Sequence, residues 1–447
     1  MELNKKIVLA LVLLSYFITA IDGSIVITGL TRITADLQLS PEELSWVQNA
    51  YLLSFGGFML MGGSLGDSFG RKKMFNLSLV VFGIGSLGAG LAQDSGEMIA
   101  ARCVQGLGSA VLAPTSLALI MDYFEGSERT KAVAWYGSIS GLGLCVGLIA
   151  GGAITSYASW RDGFLVNMPI ISLMLLLSAK ALKGQKTRLG KFDVKGTLLS
   201  VSGIFCLLFA IDGGGNILAW SMAGLVIMVL FVLIERMTEN PIMPLRLFGS
   251  PARRNAYVAR ALLIGALMGY NLFISEFMQE VFRFTPLMAG CAFLPMTLTT
   301  FAGAMKVPSL VGKHGNMPVL LAGLSLLVVG FVLLFFLNEC SSYWLGISIP
   351  MLFIGFGQGL AMSPLTNLGI LGVLHSDAGS ASGLVNVSHL VGGAFGLSLM
   401  VFASKGVAGT VARCHVGMVV ALVCIVAAML VSAGFGKYLA KIAPARQ

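Results

Sequence analysis

The chain carries fourteen successive stretches of roughly 18 or more mostly apolar residues, each bounded by charge, glycine or proline. They lie at 7–31, 44–65, 74–93, 98–121, 132–155, 161–179, 196–212, 217–235, 257–282, 286–308, 317–337, 343–370, 379–403 and 415–436. At about 20 residues per crossing they take roughly 280 of the 447 residues, and the rest is spread over loops and two tails. No soluble catalytic or DNA-binding domain fits there. Only 11% of the residues are charged, less than half of the roughly 25% usual for a soluble domain, so lipid is the solvent for much of the chain. A lipid-exposed backbone must satisfy its own hydrogen bonds, and the alternation of a β-barrel is missing. The expectation is an all-α integral membrane protein with 14 transmembrane helices. The basic, apolar start reads as an uncleaved first span, because no A-x-A site follows it.

Orientation follows from the basic residues. With the amino terminus inside, the inner segments hold 23 Lys and Arg, the outer loops hold 5, and Arg102 lies within a span. This asymmetry places both termini in the cytoplasm of a multi-pass protein of the cell (plasma or inner) membrane. The net charge of +9 thus reports topology rather than a nucleic-acid partner. Seven Cys without a CxxC or a Cys/His cluster indicate neither a disulfide framework nor a metal site.

Ser64-Leu65, Gly70 and Leu77-Ser78-Leu79 are echoed by Ser309-Leu310, Gly315 and Leu324-Ser325-Leu326 at an offset of 245 to 247 residues. Such repeats are the expected build of a secondary transporter. On this scheme residues 1–182 form one six-helix bundle and 251–447 the other. Residues 183–250 supply a cytoplasmic linker and an inserted two-helix hairpin.

Gly63-Ser-Leu65-Gly-Asp67-Ser-Phe-Gly70-Arg71-Lys72-Lys73 joins the second and third spans. Its glycines allow a tight turn, Asp67 can face a neighbouring helix end, and the basic residues hold the loop at the anionic leaflet. The segment resembles the major facilitator signature G-x-L-x-D-x-x-G-R-[RK]. Arg102-Cys-Val-Gln105-Gly106-Leu-Gly108 is similar to the R-x-x-Q-G-x-G of the same family. An arginine about 7.5 Å into a span needs a partner or a wet cavity. Gly143, Gly147, Gly151 and Gly152 resemble the antiporter motif G-x-x-x-G-P-x-x-G-G, with Leu148 where that motif has proline.

The likeness extends over nearly the whole chain and narrows to the fourteen-span drug:proton antiporter branch. Asp22-Gly-Ser24-Ile25-Val26 resembles its D-x-T-I-V, although Ile27 and Thr31 stand where Asn and Pro are usual. Trp46 and Tyr51 match in the second span, Trp160-Arg161 and Asn167-x-Pro169 in the sixth, and Asp193, Trp220 and Glu235 around the extra hairpin. The resemblance implies a major facilitator fold and export of amphipathic, cationic drugs in exchange for protons by alternating access.

The first span of each half then lines a central cavity. Asp22 lies 16 residues beyond Lys6 and Glu276 lies 16 beyond Arg260, about 24 Å along each helix. Asp22, Glu276, Arg102, Gln105 and Tyr51 are therefore the candidates for proton coupling and substrate binding, with Asp22 contacting Arg102. Gly63, Asp67, Gly70, Arg71, Gly143, Gly147, Gly151 and Gly152 are the candidates for conformational gating. A purely structural Asp22, or a Glu276 that only marks the outer end of its span beside Glu280, stands as the alternative.

No phosphate-binding G-x-x-x-x-G-K-[ST] and no nucleophile–base or metal cluster is visible, so neither an ATP-driven pump nor an enzyme is indicated. The expected partners are small molecules, protons and the bilayer, without a cofactor, for a monomer energised by the proton gradient. A facilitator or metabolite exporter of the same fold stands beside this reading, favoured by Leu148. A non-transporting receptor on the same scaffold is the reading from a different class.

Overall fold

The computed structural model describes residues 3–183, 193–211, 215–238, 241–373 and 378–442, and among these no strand occurs. The chain forms two compact units, one of Met1–Ile242 with Phe284–Cys291, the other of Met243–Arg283 with Ala292–Gln447.

In the first unit the helices are α1 (Leu3–Leu37), α2 (Pro41–Phe69), α3 (Arg71–Leu91), α4 (Ser95–Tyr123) and α5 (Gly126–Tyr157). They are followed by α6 (Trp160–Leu165), α7 (Asn167–Ala181), α8 (Val194–Ile211) and α9 (Ile217–Met237). Ser40 opens α2 with a capping box to Glu43, and Ser159 opens α6 with one to Asp162, so orphan backbone donors are met at both starts. The unit is built on the pairs α2·α4, α3·α4 and α1·α5. The α8·α9 hairpin leans on α2, where Trp46 meets Phe205 at 5.4 Å between ring centroids. On α9 the exposed face is apolar, with Leu218, Met222, Leu225 and Val229, as lipid contact requires.

The second unit is built from α10 (Pro251–Glu280), α12 (Leu294–His314), α13 (Asn316–Leu333), α14 (Ile349–Gly369), α15 (Ala378–Ala403) and α16 (Thr410–Ile442), while the short α11 (Pro286–Ala292), which lies between α10 and α12 in the chain, belongs to the first unit in all but its last residue. Its main pairs are α12·α14, α13·α14, α10·α15 and α10·α16. The first three repeat, in the same order along the chain, the α2·α4, α3·α4 and α1·α5 pairs of the first unit. Gly265 and Gly396 are in van der Waals contact at the α10·α15 crossing, the close approach that small residues permit in lipid.

Among the described residues, twelve helices are long and apolar enough to cross a membrane. The remaining two expected positions are occupied by α2 and α5. Three spans expected to be continuous are interrupted, and each break lies near a proline. The sixth divides into α6 and α7 ahead of Pro169, the tenth into α11 and α12 ahead of Pro295, and the twelfth opens with a wide turn at Trp344–Ser348 ahead of Pro350. Proline lacks an N–H and crowds the preceding turn, so it sits best where a helix begins. Several helices also overrun their apolar stretches, α16 and α1 by the most, because apolar runs report only the hydrocarbon layer.

Candidate functional site

The sequence motifs converge inside the first unit. Asp22 of α1 and Arg102 of α4 form an ion pair, with side chains 0% and 2% exposed. The guanidinium also donates to Val47 O through Nε at 3.0 Å and to Gln105 Oε1 at 2.7 Å. Gln105 in turn donates through Nε2 to Asp22 Oδ1 at 2.7 Å and to Ser86 Oγ of α3 at 2.8 Å. Asn167, at the start of α7, donates to Ser86 Oγ at 3.1 Å and faces Asp22 Oδ1 at 3.5 Å. One carboxylate thus organises four helices.

Arg102 can be buried because its charge is met on every side. Its carbon Cζ lies 4.4 Å from the centre of the Tyr51 ring and 5.9 Å from that of Phe164, a cation–π arrangement. The Tyr51 hydroxyl is 3.0 Å from Ser109 Oγ, so the face and tip of Tyr51 are both engaged. Gly106 is what lets α4 approach α2, since a Cβ there would stand 2.6 Å from Tyr51 O. The sequence points to Asp22, Arg102, Gln105 and Tyr51, and the structure brings the four together. Ser86 and Asn167 complete the set. Asn167 carries a signal in its N-x-P motif, whereas a serine in an apolar helix carries none.

Glu276 belongs to the second unit. It pairs with Arg413 of α16, whose Nη2 also lies 3.8 Å from Glu280 Oε2, while Thr410 donates to Glu280 at 2.5 Å. Glu276 is 15% exposed and Glu280 44%, so one arginine serves two carboxylates near the end of α10. Arg413 reads in the sequence as a charge of the last outer loop, and the pairing has no linear signal. Arg260, read as the charge that begins its span, is instead buried ten residues into α10, where it donates to Thr366 Oγ1 at 2.8 Å.

Of the gating candidates, Gly70 has φ +92° and serves as the C-cap of α2 and the N-cap of α3. Arg71 pairs with Asp122 in the last turn of α4 and donates to Ala118 O at 2.8 Å. Asp67 lies on α2, its side chain outside the described residues. Gly63 has room to spare, a Cβ there meeting Pro114 at an ordinary 3.6 Å. The α5 glycines do not. A Cβ at Gly143 would stand 2.9 Å from Ala20, at Gly147 2.6 Å from Ser24 Oγ, and at Gly151 3.0 Å from Ile25, all on α1. Gly152 faces Pro286 and Leu287 instead. With Leu148 in place of a proline, α5 is one helix from Gly126 to Tyr157.

A groove of about 460 Å³ between α3 and α4 is lined by Ile84, Gly88, Leu91, Glu97 and Val104 and by none of the candidate residues.

Residues 12–397 match the family model of the Major Facilitator Superfamily. The puromycin resistance protein pur8 of Streptomyces alboniger is 33% identical over 409 residues, which are 89% of this chain and 81% of that protein. The cephamycin export protein CmcT of Amycolatopsis lactamdurans is 33% identical over 419 residues, 91% of this chain and 86% of its own. Among solved structures, that of the POT family transporter PepTSo superposes with a TM-score of 0.72 at 14% identity, over 98% of this chain and 99% of that one; this likeness is one of fold.

Proposed function

The chain belongs to the major facilitator superfamily, and on that premise we propose that it exports amphipathic, cationic drugs or toxic compounds in exchange for protons by alternating access. It is a multi-pass membrane transport protein that handles small molecules, and it is not an enzyme. The observation that carries the finer reading is the buried Asp22–Arg102 pair with Gln105 bridging it. A buried carboxylate can bind either a proton or a cationic guest, and the two compete because both are positive and seek the same oxygens. Relatives named for puromycin resistance and cephamycin export support export of antibiotics. In this reading Glu276 of the second unit is a further cation-responsive group, and Gln105 and Tyr51 orient Arg102. The end of α2 with Gly63 and Asp67, its joint with α3 at Gly70 and Arg71, and the glycine face of α5 carry the conformational change.

The protein acts as a monomer in the cell membrane with both termini cytoplasmic, and the proton gradient replaces a cofactor as the energy source. The test is a screen of cationic and neutral amphiphiles in sealed inverted vesicles with an imposed pH gradient. Accumulation of cations that collapses with the gradient supports the proposal. Transport of solutes without dependence on the gradient would instead make the protein a facilitator, the reading that Leu148 and the continuous α5 favour.

A further inference from the structure

We infer that Asn167 is a positioning residue whose side-chain amide reads the protonation of Asp22, donating to the ionised carboxylate and turning over to accept from the protonated one. The inference rests on the reading of Asp22 as a proton-exchanging group. Among the described residues, three stand around the carboxylate. Arg102 meets Oδ2, and Gln105 meets Oδ1 at 2.7 Å. Asn167 Nδ2 faces the same Oδ1 at the longer distance of 3.5 Å. Among the described residues, the further titratable groups around the site are Tyr51 of α2, Tyr16 of α1 beside Tyr51, and Cys103 of α4 beside Arg102, and α6 contributes the Phe164 ring.

All these contacts present donors to Asp22. That suits a carboxylate but leaves an added proton with no acceptor. Arg102 and the Gln105 amide nitrogen have only hydrogens to offer in this arrangement. Gln105 cannot turn over, because its oxygen already accepts from Arg102 and its nitrogen serves both Asp22 and Ser86. Asn167 is the exception. Its Oδ1 is buried and accepts no hydrogen bond from the described residues, an orphan that ordinarily costs stability.

Rotation of the amide by about half a turn exchanges its nitrogen and oxygen with little change of shape. The oxygen then faces Asp22 Oδ1 and Ser86 Oγ. There it accepts the O–H of a protonated Asp22, and it can also take the hydroxyl hydrogen of Ser86, which in the observed arrangement accepts from both Gln105 and Asn167. With Asp22 ionised the same orientation would set two acceptors against each other, so the amide turns back. The proton reaches Asp22 from the gradient and leaves the same way; Asn167 neither gains nor loses one.

The test follows the carboxylic acid carbonyl band by infrared difference spectroscopy during a pH titration of the purified full-length protein, using wild type, Asp22→Asn, Asn167→Ala and Asn167→Leu. The band that Asp22→Asn removes is that of Asp22. In Asn167→Ala the protonated form loses its acceptor while the ionised form keeps Arg102 and Gln105. The midpoint of that band should therefore move to lower pH by about one unit, a tenfold change in proton affinity. Asn167→Leu fills the space and should shift the midpoint in the same direction, which separates lost packing from the lost acceptor. An unchanged midpoint in both variants, or a shift to higher pH, overturns the inference while leaving Asp22 as the proton site. A wild-type protein with no titrating band that Asp22→Asn removes overturns the reading of Asp22 as well.

Discussion

Arg102 on α4 and Asp22 on α1 form a salt bridge in which neither side chain is more than 2% exposed. The pair lies 80 residues apart in the chain, so it forms only when the two helices are packed. Removing one partner leaves the other as an uncompensated buried charge, which costs about 3–5 kcal/mol. Arg102→Gln and Asp22→Asn should therefore each lower the thermal unfolding midpoint of the purified protein sharply, and the double variant Asp22→Asn with Arg102→Gln should recover part of the loss. If the double variant is as unstable as the sum of the two single ones, the pair is not coupled as described.

The α5 and α2 glycines make a paired test. Gly147→Ala places a methyl group 2.6 Å from Ser24 Oγ and must push α1 and α5 apart, an overpacking that costs about 1–3 kcal/mol. Gly63→Ala meets only an ordinary contact with Pro114 at 3.6 Å and should be neutral within about 0.5 kcal/mol. Unfolding midpoints of the two variants check this, and an order reversed from this one would show that the α1·α5 seam yields easily.

At the start of α2, the Ser95 hydroxyl and the Ser40 backbone N–H both donate to Glu43 and hold its carboxyl below the ordinary value of 4.5, against the opposing effect of partial burial. A lowered folded-state value means that the stabilisation is fully present above the ordinary value and is lost as pH falls through the lowered one. Glu43→Gln should thus lower the unfolding midpoint at neutral pH and show a smaller further drop on acidification than wild type. The same acid-side decline in both proteins would remove Glu43 as its source.

Asp67→Asn should leave insertion and unfolding temperature nearly unchanged and slow turnover, because a group near the end of α2, beside its joint with α3, shifts the balance between global states rather than their stability. Transport rates in vesicles, normalised to the amount of protein, decide this. Wild-type rates would remove Asp67 from the gating elements.

Topology is checked by accessibility of tags. Tags at both termini and within 183–193 should be reached only from the cytoplasmic side, and one within 405–414 only from outside, as the loop charges require. Either terminus found outside would overturn the orientation.

The sequence made some parts of this fold legible and hid others for physical reasons. A charge in an apolar run stands out because its burial is costly, which is why Asp22 and Arg102 are visible as residues in need of partners. Ser86 and Asn167 are neutral and cost less to bury than a charge, so their place beside Asp22 emerges only from the packing of α3 and α7 against α1. Arg413 shows the same limit from the other side. Its charge is obvious, but its pairing with Glu276, 137 residues away, depends on how α10 and α16 meet. Arg260 misleads because a cation near the start of an apolar stretch looks interfacial, whereas α10 begins nine residues earlier at Pro251. The breaks ahead of Pro169, Pro295 and Pro350 fall inside apolar stretches that read as continuous, and Pro114, Pro308 and Pro364 lie within helices that continue past them. Whether a proline ends a helix depends on what surrounding groups take up the freed carbonyl, and that is a tertiary property.

Gly70 and Gly315 are single residues that each end one helix and begin the next, with φ of +92° and +82°. A longer linker would act as a spring, absorbing movement of one helix before the other responded. Here no such slack exists in either hairpin: a push along α2 reaches α3 through one residue, and a push along α12 reaches α13 in the same way. Each hairpin therefore behaves as a lever with a fixed fulcrum. Inserting even one flexible residue beside either glycine would add play to the joint, so force applied at one arm would be lost before it arrived at the other.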